Sequence, residues 1–120
     1  MTTAHQQARV IGMIAVTHYD HERHCGLIGT YITPAYRGTG VQKQAKEQLF
    51  QLLPHSVQTL YAIIATHHHA SLRAMSKLAH KRLLSPEQVE QLPQWIKIEL
   101  WKTGENASVF QLDSHHYRTL

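Results

Sequence analysis

The chain has 120 residues, of which 42% are hydrophobic and 17% are charged, and its formal net charge is +4 with a pI near 9.4. This length suits one domain, which we expect to cover residues 1–120. No apolar run is long enough to span a bilayer, the N-terminus lacks signal-peptide character, and a single cysteine, Cys25, excludes an intrachain disulfide. We therefore expect a cytoplasmic protein, and its mildly basic charge suits an anionic ligand.

Two strands open the predicted fold. Residues 9–17 are a continuous apolar run rich in β-branched residues, which predicts a central strand. The polar segment 18–24 predicts a turn. Residues 25–33 predict a second strand, which ends before Pro34 because proline has no N–H for a strand ladder. We expect the two strands to pair as an antiparallel hairpin.

A glycine loop joins the second strand to the first predicted helix, residues 42–53. Gly38 and Gly40 allow a tight turn and a close approach of the backbone to a ligand. The first N–H groups of such a helix lack partners, so this junction predicts a phosphate site. The apolar spacing assigns one helix face to Val41, Ala45, Gln48, Leu49 and Leu52, and an outer face to Lys43, Lys46, Glu47 and Gln51.

The second half of the chain continues the alternation of strand and helix. Residues 57–66 predict a strand parallel to the second one, because a helix crosses between them. Residues 69–84 predict a second helix, with a basic last turn. Ser85 and Pro86 predict the start of a short helix over residues 86–92.

The last two strands are predicted from different signals. Residues 95–102 alternate between two sets of side chains, which predicts a half-buried strand with Trp95 and Trp101 on one face. Residues 107–112 predict a final strand after a glycine-containing turn. We expect these two strands to form a hairpin, and the exposed tryptophan face indicates a homodimer.

The segment 32–41 resembles the acyl-CoA loop of the GCN5-related N-acetyltransferases, the GNAT superfamily. That loop follows a strand with the pattern Arg/Gln-x-x-Gly-x-Gly/Ala, which corresponds here to residues 37–42. The chain departs from the pattern at Gln42, where the family has a small residue. The resemblance implies an α/β fold with a mixed, mostly antiparallel sheet, and by order of elements it covers residues 9–112.

The resemblance also implies a ligand and its contacts. In the family, acyl-CoA lies in a gap between two splayed strands, so we expect acetyl-CoA as acyl donor and an unidentified amine as acceptor. The pantetheine arm is implied to pair with the strand before the loop, and the pyrophosphate with the loop and helix start. The implied cofactor-binding residues are Tyr31, Ile32, Thr33, Arg37, Gly38, Thr39, Gly40, Val41 and Gln42.

The second predicted helix resembles the other family signature only in part. Aligning Lys77 to the signature's lysine puts His68 at its Asn position, Ser71 at its Ala position and Met75 at its Tyr position. In many family members that tyrosine is the general acid, and a methionine cannot take this role. His67, His68 and His69 are candidate general bases, since imidazole titrates near neutrality. We name His68 and Ser71 as candidate catalytic residues, with His24 and Glu22 as weaker ones.

Other functions stay open at this point. The resemblance begins at the family's third strand, so the expected acceptor site is either open or completed by a partner chain. A GNAT-like module that binds or interacts without catalysis is the main alternative. The 11 histidines include His18, His21 and His24 near Cys25, but no zinc-binding pattern is present and we expect no metal. Basic residues are scattered, so nucleic acid is not an expected partner, and neither is a membrane.

Overall fold

The computed structural model describes residues 12–32, 36, 40–104 and 106–117, with residues 31 and 32 described by their backbone alone. Within these ranges the chain forms a mixed α/β fold, which confirms the predicted class. The strands are β1 (Gly12–Asp20), β2 (Cys25–Ile32), β3 (Thr59–Ala65), β4 (Arg82–Leu83) and β5 (Ala107–Asp113). The helices are α1 (Val41–Leu52), α2 (His69–Ser76), α3 (Pro86–Glu90) and α4 (Gln94–Lys102), and a 3-10 turn follows at Ser114–His116.

The sheet has the strand order β1-β2-β3-β5-β4. β1 and β2 form the predicted antiparallel hairpin, and β2 runs parallel to β3, as predicted from the helix between them. β5 lies antiparallel to both β3 and β4. Because α1 connects the parallel pair, the ends of β2 and β3 meet at the same edge of the sheet.

Alternating side chains of the sheet supply two hydrophobic cores, one on each face. On one face Leu60 and Leu112 pack with Phe50 of α1 and Met75 of α2. On the other face the core includes Ile96 of α4. Its other buried members are Cys25, Leu27, Leu84, Leu92 and Val109. The sheet is therefore covered by helices on both sides.

The buried face of α1 differs from the predicted one. Lys46, expected on the outer face, is only 4% exposed, whereas Leu52, expected inside, is 82% exposed. The inward positions are Lys46, Leu49, Phe50 and Leu53, which recur at helical spacing. Phe50 decides this orientation because its ring is fully buried and stacks on Tyr117 at a centroid distance of 4.6 Å.

The helix predicted over residues 69–84 is wrong beyond Ser76, where α2 ends. Leu78 turns back on Met75 through a backbone hydrogen bond and is buried in the core. Arg82 and Leu83 then form β4 beside Gln111 and Phe110 of β5. Pairing with the edge of β5 outweighs the local helical spacing, and the basic residues expected in a last helical turn lie in the connection and in β4.

The strand predicted over residues 95–102 is also wrong, because this segment is α4 and forms no hairpin with β5. Leu92, Ile96 and Leu100 recur every four residues and pack on the same core, a helical spacing. Trp95 and Trp101 do not share an exposed face. Trp95 is partly buried and donates its indole N–H to Asp20 at 2.8 Å, whereas Trp101 is 83% exposed.

Candidate functional site: a basic cavity between two splayed strands

The parallel strands β2 and β3 separate along their length. They pair only over Cys25–Leu27 and Thr59–Tyr61. Beyond these residues β2 continues to Ile32 in pairing with β1, and β3 continues to Ala65 in pairing with β5. Among the described residues, the edges of β2 and β3 that face each other past Leu27 are therefore unpaired. A wedge-shaped opening results, with backbone N–H and C=O groups along its sides.

A cavity of about 630 Å³ lies at the open end of this wedge. One wall combines Thr30 at the end of β2, Tyr36, and Gly40 to Lys43 at the start of α1. The opposite wall is the turn after β3 and the exposed face of α2, formed by His67, His68, His69, Ala70, Ser71, Arg73, Ala74 and Lys77. The cavity thus sits beyond the carboxyl ends of two parallel strands, where open α/β sheets bind their ligands.

The start of α1 presents backbone N–H groups to this cavity. Gly40 is the N-cap in a left-handed conformation, with φ +88°, and its carbonyl accepts the first helical hydrogen bond from the Gln44 N–H. Because that is the first hydrogen bond of the helix, the N–H groups of Val41 to Lys43 have no acceptor within it. The first turn contains no acidic side chain. This end of the helix therefore attracts an anion.

The start of α2 is similar. Its N-cap is His68, whose side chain makes no capping hydrogen bond, and the first turn carries no acidic residue. Lys43, Arg73 and Lys77 add positive charge to the lining, and the described lining contains no aspartate or glutamate. Two helix N-termini and three basic side chains therefore meet around one opening. Such an arrangement favours a ligand with several negative charges.

Beneath the start of α1, Lys46 donates a hydrogen bond from Nζ to Oε1 of Gln42 at 2.8 Å. Gln42 lines the cavity, whereas Lys46 lies one helical turn further inside. Burial lowers the pKa of Lys46 from 10.5 to about 8, because a low-dielectric environment disfavours the charged form.

The structure brings several of the residues predicted from the sequence to this cavity. Five of them line it: Gly40, Val41, Gln42, His68 and Ser71. Tyr31 and Ile32 lie at the end of β2, next to Thr30, and their backbone forms part of the unpaired edge. Thr33, Arg37, Gly38 and Thr39 lie outside the described residues. The roles of all these residues remain predictions.

The other sequence candidates have different positions. His67 and His69 line the cavity beside His68, and the rings of His67 and His68 meet edge to face at a centroid distance of 4.1 Å. His24 and Glu22 lie in the β1–β2 turn, at the opposite end of β2. Met75 is 1% exposed in the core, so its side chain does not line the cavity.

Several lining residues were not predicted. Thr30 and Tyr36 flank the glycine loop, and Lys43 lies in the first turn of α1. Arg73 follows His69 at spacing four on α2, and Lys77, the C-cap residue of this helix, follows Arg73 at the same spacing, so all three lie on one side. This basic stripe is visible in the sequence, but only the position of α2 beside α1 shows that it faces a cavity.

No group of three or more metal-ligating side chains comes together among the described residues. Nor does the described part of the chain contain a helix with the length and apolar character needed to cross a membrane.

Comparison with known protein families assigns the chain to one of them. The family model described as acetyltransferase (GNAT) domain matches residues 1–81, which is more than half of the chain. The chain therefore belongs to the GNAT acetyltransferase family. A comparison with curated protein sequences returned no significant match.

Two similar solved structures are forms of the spermidine N-acetyltransferase SpeG from Vibrio cholerae. One is a chimera with hSSAT, which superposes with a TM-score of 0.66 at 11% identity over 93% of this chain and 64% of that one. The other is a point mutant of SpeG, with a TM-score of 0.64 at 11% identity over 94% of this chain and 63% of that one. This likeness shows the fold. The chain spans less than two thirds of the length of either structure.

Proposed function

We propose that the chain binds acetyl-CoA in the cavity between β2 and β3 and transfers its acetyl group to an amine by direct attack. The observation that carries the proposal is the separation of β2 from β3 beneath two acid-free helix N-termini. An extended pantetheine arm needs backbone partners, and the unpaired edge of β2 offers them. A pyrophosphate needs N–H donors and positive charge, and the start of α1 with Lys43 offers both.

The chain's residues divide into binding and reacting groups. The backbone of Tyr31, Ile32 and Thr33 holds the pantetheine arm, while Gly38, Thr39, Gly40, Val41 and Gln42 donate to the pyrophosphate. Arg37 adds positive charge beside the phosphates. These assignments follow the family resemblance, and the cavity-lining positions of Gly40, Val41 and Gln42 support them.

Acetyl transfer needs a neutral amine beside the thioester. The amine nitrogen attacks the carbonyl carbon, a C–N bond forms as the C–S bond breaks, and the departing thiolate takes up a proton. His68 is the proposed base that removes the proton from the amine, because it is exposed at the turn between β3 and the cavity wall of α2. Ser71 of α2, which also lines the cavity, is the proposed hydrogen-bond donor to the reacting groups. Since Met75 has no proton to give, the thiolate leaves without a side-chain acid at that position.

Acetyl-CoA binding is tested by thermal unfolding with acetyl-CoA, with CoA and without ligand. A ligand that binds only the folded state raises the midpoint by mass action, so both should stabilise the wild type. No shift at millimolar ligand, far above the range expected for a specific cofactor site, would contradict the proposal. Release of CoA thiol in the presence of a panel of amines, corrected for hydrolysis without amine, then measures transfer.

We predict that Gly40→Glu abolishes CoA binding while the protein still folds. The new carboxylate would lie at the helix end that faces the phosphates and would repel them. Gly104→Glu is the matched control. Gly104 also has a positive φ, of +69°, and no atom of the described residues lies within 4 Å of the place that a Cβ would take, but it lies in the turn after α4 and does not line this cavity. Both variants carry the same charge change and similar backbone strain. Equal CoA affinity in the two variants would refute the proposed phosphate position.

A binding module without catalysis is the second candidate, and the buried Met75 favours it. Such a protein would show the CoA-dependent thermal shift but no amine-dependent thiol release.

A further inference from the structure

The Lys46–Gln42 pair lies directly beneath the proposed phosphate position. Gln42 is the first-turn residue at which this chain departs from the small residue of the family pattern, and it lines the cavity. Lys46 follows at spacing four on the same helix, so both side chains lie on one face of α1. The hydrogen bond between them, at 2.8 Å, therefore joins a buried lysine to a residue of the binding surface.

The chemistry of the two groups fixes the orientation of the amide. A lysine ammonium has hydrogen-bond donors and no acceptor, so only the oxygen of the Gln42 amide can face it. This directs the Nε2 group, with its two donors, away from Lys46. Without the lysine, the side chain of Gln42 can rotate and present either end to a ligand.

The burial of Lys46 needs an explanation, because a lysine is almost never this deeply buried without a charged partner. Among the described residues, the hydrogen-bond partner of Lys46 is the neutral amide of Gln42. An unpaired buried charge costs free energy, and the lowered pKa of about 8 expresses that cost.

We propose that Lys46 is a positioning residue, which holds the Gln42 amide so that its Nε2 group donates to the phosphates of the acyl-CoA. This rests on the proposed function. A small residue at position 42 would let the backbone approach the phosphates closely. Gln42 instead provides a side-chain donor, and Lys46 fixes the direction in which this donor points. Lys46 itself is too deeply buried to touch the ligand.

A double-mutant cycle on CoA affinity tests the proposal, using Lys46→Met, Gln42→Ala and the combined variant, with dissociation constants from calorimetry. Each single change should weaken CoA binding about tenfold or more, since each removes the correctly oriented hydrogen bond to the charged phosphates. In the Gln42→Ala background, Lys46→Met should change affinity less than about twofold, because the group that it positions is already absent. Lys102→Met, an equal charge change at an exposed site on α4, is the control and should leave affinity unchanged.

Stability without ligand distinguishes positioning from a purely structural role. Lys46→Met removes a buried charge and keeps most of the length of the side chain, so the unliganded protein should unfold at a higher temperature although it binds CoA less tightly. Gln42→Glu should likewise raise the midpoint, by forming an ion pair with Lys46, and weaken CoA binding. Unchanged affinity in either variant, or an equal effect of Lys46→Met with and without Gln42, overturns the proposal. Absence of CoA binding by the wild type overturns the proposed function as well.

Discussion

At the scale of single residues, the pKa of Lys46 has a consequence for stability that can be measured without any ligand. Its pKa is about 8 in the folded protein and near 10.5 in the unfolded chain. Below pH 8 the lysine is protonated in both states, and the folded state bears the full cost of the buried charge. As the pH rises from about 8 to 10.5, the folded protein releases the proton before the unfolded chain does. The free energy of unfolding therefore increases with pH in this range.

We predict that this increase amounts to about 3 kcal/mol at most, at about 1.4 kcal/mol per pH unit, and that Lys46→Met abolishes it. Urea unfolding of both proteins between about pH 7.5 and 9.5 measures the difference in slope. Burial raises the pKa of Cys25 and raises that of Tyr117 to about 12, which opposes the trend at high pH. Both groups are present in both proteins, so their contribution cancels. Parallel slopes in the two proteins would show that Lys46 stays charged in the fold.

Gly26 shows a second residue-scale constraint, set by the hairpin of β1 and β2. The register of the hairpin shifts between Val16 and His18, which places Thr17 in a β-bulge opposite this part of β2. A Cβ on Gly26 would lie 2.6 Å from the backbone oxygen of His18 and 2.9 Å from Cγ1 of Val16. Backbone cannot yield as a flexible side chain can, so only glycine fits without moving β1.

We predict that Gly26→Ala destabilises the protein by about 1–3 kcal/mol, the usual range for overpacking. Gly29→Ala is the matched control on the same strand. Among the described residues, the new Cβ there would meet the Thr17 side-chain methyl alone, at 3.2 Å, so a smaller cost is expected. Chemical unfolding of the two variants gives the comparison, and equal stability losses would rule out the close backbone contact with His18 as the cause.

At the scale of elements, α4 shows where a sequence pattern is ambiguous. Residues 95–102 alternate as a half-buried strand would, and the same residues continue the four-residue spacing of Leu92, Ile96 and Leu100. The two patterns predict different burial for Ile96 and Ile98. On a strand Ile96 and Ile98 share a face, whereas on the helix Ile96 is fully buried and Ile98 is 41% exposed.

We predict that Ile96→Ala costs about 2–5 kcal/mol, as for a fully buried aliphatic side chain, and that Ile98→Ala costs less than about 1 kcal/mol. The pair is matched in chemistry and lies on one element, so intrinsic propensity cancels. Urea midpoints give both values. Similar costs at the two sites would favour the strand over the helix.

Most of the other elements could be predicted, and the exceptions have physical causes. Pro34 marks the end of β2, Gly40 and Pro54 mark the two ends of α1, and β3 is a long apolar run. The bounds of β2, α1 and β3 were therefore predicted within one or two residues. β4 has only two residues and exists because β5 offers it an edge, a non-local cause that no local pattern contains. The junction of β2 and α1 was predicted as a ligand site from its glycines, whereas the buried Lys46 was missed because a lysine in a helix normally indicates the solvent face.

At the scale of the whole molecule, we propose that the chain is one domain. The sheet runs through the described chain from β1 to β5, and strands from both ends of the sequence supply the two cores. β3 and β5, far apart in sequence, are neighbours at the centre of the sheet. This topology leaves no point at which the described chain divides into separate cores, so unfolding should be one cooperative event.

The homodimer expected from the sequence also belongs to this scale, and the fold lowers the affinity that we expect for it. With Trp95 turned inward, the exposed apolar surface of α4 consists mainly of Trp101, 83% exposed, and Ile98. One tryptophan buries up to about 250 Å², far below the roughly 800 Å² per partner of a stable interface. Any self-association through this surface must therefore be weak and concentration-dependent.

We predict partial self-association at tens of micromolar or above, a concentration that matches a weak interface. Trp101→Glu should abolish it, because the new charge would have to be buried between two copies. Leu52→Glu, at a comparably exposed apolar residue on α1, is the control and should leave it unchanged. Sedimentation velocity over a concentration series measures all three proteins. A wild type that stays monomeric throughout would refute the dimer. If Leu52→Glu abolishes association and Trp101→Glu does not, the interface lies at the end of α1 instead. There α1 contacts the C-terminal turn through the stacked rings of Phe50 and Tyr117.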